Sequence, residues 1–260
     1  MKVVLFCGGY GMRMRGGSED RIPKPMQLVG PMPLLWHVMS YYAHHGHTEF
    51  VLCLGYGAEH ITRFFLEHNE TTSNDFVLRR GEVELTSTDI SDWTIHFVHT
   101  GLESTLNQRL LAVRDLLAGE ELFLANYADV LCNAPLEPML ERFAAHPDAL
   151  LSMLAVPPQQ SFHVLGVGED GTTVTDVTPV SQMPLRENGG YLIMRPGIFD
   201  WLRPEEDMME DTCPRLAERG LLMAQPYDGF WKPADTFKER AELDRLWSSG
   251  ERPWALPGQR

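Results

Sequence analysis

The chain has 260 residues, 43% of them hydrophobic, enough to bury a substantial core in one large α/β domain or two small ones. Its 22 Lys and Arg against 36 Asp and Glu leave a net charge of −14, which excludes a nonspecific nucleic-acid or anionic-membrane binder and requires any anionic ligand to be caught locally. Cys7, Cys53, Cys132 and Cys213 are too widely spaced for a zinc pair, and with no basic leader and no apolar run of about 18 residues the chain reads as soluble and cytoplasmic.

The apolar run Val3 to Phe6 reads as a buried strand, and it ends abruptly in Gly8, Gly9, Tyr10, Gly11 and Arg13. Glycines there let successive N–H groups form an anion-binding concavity, and Arg13 and Arg15 add positive charge. Lys24, between Pro23 and Pro25, is an ammonium on a stiffened arm. The dinucleotide fingerprint does not fit, because its third glycine position is Met14, and no Walker lysine follows the glycines. The segment reads as a phosphate site of another kind.

Pro33 to His45 reads as a helix, Glu49 to Leu54 as a strand, and Ala58 to Glu67 as a helix with Ile61, Phe64 and Phe65 inward. The polar stretch 69–92 reads as an excursion with short strands, suited to an oligomer contact. A strand at Trp93 to Val98, a helix at Leu106 to Leu117 and a strand at Glu121 to Asn126 follow. Leu136 to Ala145 is a helix, Ala149 to Val156 a strand, and Val164 to Val167 with Thr172 to Val177 a hairpin. Asn188, Gly189 and Gly190 lead into a strand at Tyr191 to Met194; helices near 198–202 and 211–219 and a strand at Leu221 to Gln225 complete the set. A last helix has Phe237, Leu243 and Leu246 as its apolar residues, and Asp235 at its start could simply be its cap. The alternation predicts an α/β fold, a Rossmann-like, mostly parallel sheet covered by helices on both faces. In such sheets the ligand crevice lies beyond the carboxyl ends of the strands, where Asp129 falls.

CGGYGMRM followed by IPKPMQLVGPMPLLWHVM resembles the signature region of sugar-1-phosphate nucleotidyltransferases, and most of all that of glucose-1-phosphate cytidylyltransferases. The resemblance reappears in FVLCLGYGAEHI, around Asp129, in ENGGYLIMRP and in GFWKPADTFKERAELDRLWSSGERPW. It implies a single domain of the nucleotide-diphospho-sugar transferase fold, with a nucleotide half over about 1–135 and a sugar-phosphate half over about 136–260. It also implies a homo-oligomer acting on a nucleoside triphosphate and a sugar or cyclitol phosphate, with magnesium as cofactor. Arg13, Lys24 and Asp129 would be catalytic. Phe6, Gly8, Gly9, Gly11, Met12, Arg13, Asn107, Gln108, Arg109, Tyr127 and Asp129 would line the nucleotide. Lys24, Val180, Glu187, Asn188, Gly189, Trp231, Lys232 and Asp235 would line the sugar phosphate, and Asp129 with Asp235 would hold the metal. Two carboxylates completed by phosphate oxygens and water make the oxygen-only environment magnesium demands.

The chain departs from that pattern in several places. Met12 replaces a threonine, and Asn133 stands where a second acidic residue is usual. The family's TGGR reads Leu106-Asn107-Gln108-Arg109, and its EKP reads Pro179-Val180-Ser181, which removes a lysine from the acceptor phosphate unless Arg186 or Lys232 replaces it. Met12, Asn133 and Val180 favour a catalytically weak, regulatory nucleotide-binding homologue, whereas Lys24, Asp129 and Asp235 favour an active enzyme.

Overall fold

Val3–Cys7, all five residues buried, forms β1 near the middle of a seven-stranded sheet in the computed structural model, which describes residues 1–8, 22–88, 90–159 and 162–255. The other sheet strands are β2 (Glu49–Leu54), β3 (Thr94–His99), β4 (Phe123–Asn126), β5 (Leu151–Val156), β6 (Glu187–Met194) and β7 (Leu222–Pro226). Their order is β7-β5-β6-β4-β1-β2-β3. All neighbours are parallel except at β6, which runs antiparallel to both β4 and β5. That reversal carries the amino end of β6 to the edge where the other strands end.

The helices are α1 (Leu34–His44), α2 (Ala58–Glu67), α3 (Leu106–Ala112), α4 (Leu136–Ala144), α5 (Cys213–Glu218) and α6 (Phe237–Ser248). Because side chains alternate along a strand, each buried strand feeds two cores. Val3, Leu5, Phe50 and Leu52 pack under α1, α2, α4 and α6. Val4, Phe6, Val51 and Cys53 pack under α3 and α5. Both faces of the sheet are therefore covered, and each fully buried aliphatic or aromatic side chain contributes about 1.5–3 kcal/mol. No helix among the described residues is long and apolar enough to cross a membrane.

Three expectations are corrected by tertiary packing. The helix expected to run to Leu117 stops at Ala112 and continues as a 3-10 turn, Arg114–Leu117, because Val113 leaves helical geometry at φ −107° while its side chain and that of Leu117 are buried. Asn188, Gly189 and Gly190 belong to β6 itself rather than to a lead-in loop, and Gly190 sits at φ +76°. Phe237 is 55% exposed: at roughly 100° per residue it lies well round the helix from the buried Leu243 and Leu246.

The segment before α1 packs against α6. Lys24–Met26 is a 3-10 turn, followed by the short antiparallel pair Leu28–Val29 and Met32–Pro33 that leads into α1. Gly30, at φ +64°, turns this pair directly beneath the Trp247 ring of α6. His37 is buried beside it among Trp36, Trp247 and Trp254, with its ring nitrogen 3.0 Å from Val29 O. Burial, assisted by Arg252, lowers its pKa to about 4 despite the bond to Val29. The folded value lies below the unfolded one, so the unfolded chain takes up the proton first. Stability is therefore expected to fall as pH drops from about 6.5 to about 4, by up to about 3 kcal/mol for this group. Urea midpoints across that window check this: His37→Phe should flatten the profile, and His47, lowered in the same direction, should account for much of the remaining slope.

Candidate active site

The carboxyl end of β4 opens into Tyr127, Ala128 and Asp129, and Val130–Cys132 then pairs antiparallel with Trp231–Pro233. Pro233 lies opposite Val130, and Ala234 N donates to Asp129 O at 3.1 Å, so this ribbon brings Asp129 and Asp235 together from points far apart in the chain. Lys24 arrives from a third segment, after Pro23 at φ −66° and before the buried Pro25. Its Nζ donates to Asp129 Oδ2 at 2.6 Å and also to Asp235 Oδ1.

The side chains of Lys24, Asp129 and Asp235 are 16%, 21% and 35% exposed, so their charges couple more strongly than in water while one side stays open. Burial opposes the Lys24 ammonium, but Asp129 and Asp235 outweigh it and raise its pKa. Burial also raises the Asp129 carboxyl, Lys24 opposing and Asp235 adding to the effect. The capping alternative for Asp235 is answered by its neighbour: Thr236 accepts from Glu239 N, and Glu239 closes a capping box. Among the described residues no cluster of three or more His, Cys, Asp or Glu could hold a metal alone. Asp129 and Asp235 meet instead on the Lys24 ammonium.

Among the residues expected to line the nucleotide, Arg109 is 4% exposed and donates to Thr100 Oγ1 at 2.7 Å, Gly8 O at 3.2 Å and Leu54 O at 3.5 Å. It thereby ties together the carboxyl ends of three strands where the glycine loop begins. A Cβ on Gly55 would lie 2.9 Å from Gly8 Cα, so the strand ends touch backbone to backbone. Asn107 is fully buried and donates to Arg203 O and Thr212 Oγ1, at 3.1 and 3.0 Å. Gln108 is spent on the α3 capping box with Thr105. Phe6 and Tyr127 place their rings 6.2 Å apart. Gly9, Gly11, Met12 and Arg13 lie outside the described residues.

Among those expected to line the sugar phosphate, Asn188 donates to Tyr127 OH at 2.7 Å and accepts from Gly190 N, while Gly189 O accepts from Trp231 Nε1 at 2.8 Å. Burial raises the Tyr127 phenol to about 12, so it stays protonated. Glu187 accepts from Gln159 N. Val180 is buried, and the two cations that would replace the missing lysine are paired, Arg186 with Asp228 at 2.5 Å and Lys232 with Glu242 at 3.0 Å. Asn133 accepts from Phe230 N at 3.1 Å and from the Tyr227 hydroxyl, bracing the turn before Trp231.

Residues 2–237 match the Nucleotidyl transferase family. The chain belongs to that family. It is 34% identical over 262 residues to a probable glucose-1-phosphate cytidylyltransferase of Bacillus subtilis (strain 168), covering 98% of this chain and 100% of that one. It is 30% identical over 261 residues to the glucose-1-phosphate cytidylyltransferase of Salmonella typhimurium, covering 98% of each. Among solved structures, HddC from Yersinia pseudotuberculosis superposes with a TM-score of 0.68 at 17% identity, covering 95% of this chain and 99% of that chain. A UDP-glucose pyrophosphorylase complexed with UDP-glucose gives 0.67 at 16%, covering 96% and 98%. These two establish the fold.

The fold of this nucleotidyltransferase brings Lys24, Asp129 and Asp235 into direct contact, and joins Tyr127 to Asn188 and Gly189 to Trp231. It holds Asn107, Gln108 and Arg109 in the protein's own hydrogen bonds. Thr100 and Tyr227 are supports that sequence reading did not assign, and Asn133, singled out there only as a departure from the family pattern, is a third. Nothing local marks these supporting roles, because each acts on a residue 9 or more positions away.

Proposed function

We propose that this enzyme transfers a nucleotidyl group from CTP to a sugar 1-phosphate, or to a similar cyclitol phosphate, and releases pyrophosphate. The observation that carries the reading is the meeting of Lys24, Asp129 and Asp235 at the carboxyl edge of the sheet. An acceptor phosphate oxygen attacks the α-phosphorus in line, and the bond from that phosphorus to the β-bridging oxygen breaks. No side-chain nucleophile is needed, so catalysis rests on positioning and charge stabilisation. Asp129 and Asp235 would hold magnesium, which when bound neutralises phosphate oxygens. Lys24 would then exchange its carboxylate partners for phosphate oxygen. With Val180 in place of a lysine, Lys24 carries more of the acceptor's charge than it otherwise would.

Pyrophosphate release with magnesium tests the reading, using CTP, UTP, ATP, GTP and dTTP against glucose 1-phosphate and other hexose and cyclitol phosphates. Release with CTP and a sugar 1-phosphate, abolished by chelation of the metal, is the expected result. Nucleotide binding with no release from any pair would overturn it in favour of a binding protein.

Self-association is part of the same proposal. Two hairpins, Phe76–Arg79 with Glu82–Leu85 and His163–Val167 with Val174–Pro179, stand off the main sheet. They expose Leu78, Val83, Leu165, Val167 and Val177. Two-stranded ribbons with bare apolar residues gain stability when another surface covers them, and a second copy of the chain is the proposed cover.

A further inference from the structure

Ala128 has left-handed backbone, φ 63°, immediately before Asp129. Among the described residues the only other non-glycine with positive φ is Arg80, at 56°, in the turn of an exposed hairpin. Alanine has no polar side chain with which to favour this conformation, so the surroundings must impose it.

They do so through Asn126. This residue is fully buried at the end of β4, between Leu5 of β1 and Tyr191 of β6. Its Oδ1 accepts from Ala128 N at 2.8 Å, and its Nδ2 donates to Tyr42 OH at 3.3 Å. Two further tyrosines grip the chain beyond Asp129: Tyr191 OH donates to Val130 O at 3.0 Å, and Tyr41 OH to Ala134 O at 2.8 Å. The three rings pack on one another, Tyr41 to Tyr42 at 5.0 Å and Tyr41 to Tyr191 at 5.2 Å. The backbone is thus held before and after Asp129 by side chains from α1, β4 and β6.

We infer that Asn126 is a positioning residue that locks the Ala128 peptide in its left-handed turn and so aims the Asp129 carboxylate at Lys24 and Asp235. The inference rests on Asp129 being a group of the reactive site. Asn126 touches no substrate in this role; it acts through one backbone N–H.

The test uses the full chain and Mn2+ as a spectroscopic probe, its binding followed by electron paramagnetic resonance with CTP present and no acceptor, beside kcat and KM for the complete reaction. Asn126→Leu keeps the branched heavy-atom shape and removes both hydrogen bonds. It is expected to weaken Mn2+ binding about tenfold and to lower kcat more than KM. Adding Ala128→Gly, which accepts φ 63° without steric cost, should recover most of both losses while leaving the denaturation midpoint low. A purely structural role predicts the opposite: midpoint and activity moving together, with no rescue by glycine. Wild-type Mn2+ binding and turnover in Asn126→Leu would overturn the inference, as would losses that Ala128→Gly leaves untouched. If Asn126→Leu does not fold, Tyr42→Phe removes only the hydroxyl that Asn126 binds. A smaller loss, again relieved by Ala128→Gly, is then expected, and no loss would refute the role. Asp129→Asn separates the two levels: if it binds Mn2+ and turns over normally, the reading of the site fails, and if it alone is inactive, only the Asn126 inference fails.

Discussion

Replacing Asp129 by Asn is expected to lower metal-dependent pyrophosphate release by about three orders of magnitude while leaving the fold in place. The substitution keeps shape and leaves an oxygen that can still accept from Lys24 Nζ, now 2.6 Å away, so the local contact survives. What disappears is the charge. With one carboxylate remaining at Asp235, a divalent cation held as proposed would lose one of its two protein carboxylates, and the triphosphate a fixed point of reference. Stability should change little, because burial already raises the Asp129 carboxyl and the neutral amide avoids that desolvation. Initial rates against magnesium concentration, beside a urea unfolding curve, test both halves. Wild-type turnover would remove Asp129 from the mechanism, and a collapsed unfolding midpoint would make it a structural residue instead.

Gly30→Ala is expected to cost about 3 kcal/mol and to reduce activity without touching any group of the site. A Cβ there would lie 2.1, 2.3 and 2.5 Å from three atoms of the Trp247 ring, and φ +64° adds left-handed strain for any L side chain. The ring cannot simply slide away, since the Arg252 guanidinium covers it at 3.6 Å and His37 meets it at 6.0 Å. The turn must move instead, and the strand leading into it, Leu28–Val29, follows the Lys24–Met26 turn almost directly. Thermal unfolding of Gly30→Ala, Trp247→Leu and the double variant checks the mechanism through their coupling. A smaller penalty for Gly30→Ala in the Trp247→Leu background is the expected result; strict additivity would show that the two residues do not meet in solution.

Much of the architecture was legible before any coordinates. Val3 to Phe6 and Glu49 to Leu54 are near-continuous apolar runs, as strands buried on both faces must be, and both are strands here. β6 was only half legible, because Asn188, Gly189 and Gly190 look like turn residues and become strand only by pairing with β5. Phe237 misled for the opposite reason, an apolar side chain whose helical phase turns it outward. Of the site, Lys24, Asp129 and Asp235 could be named because they sit in motifs that a resemblance can carry, whereas Asn126, Arg109 as a brace, and the three tyrosines act across the fold. Their roles exist only once the strands are side by side. Asp235 and Thr236 show the limit of local reasoning: both suit a helix start, and the ribbon decides which one caps it.

The pairing of Val130–Cys132 with Trp231–Pro233 has a consequence for how the protein comes into being. Lys24 and the Asp129 turn are translated before Trp231–Pro233, and until that strand emerges the ribbon has only one of its two strands. The helix whose Trp247 seats the Gly30 turn also follows them in the chain. A nascent chain that has not yet reached residue 231 therefore carries Lys24 and Asp129 without the strand that brings Asp235 to them. The three groups become neighbours only when Trp231–Pro233 pairs with Val130–Cys132.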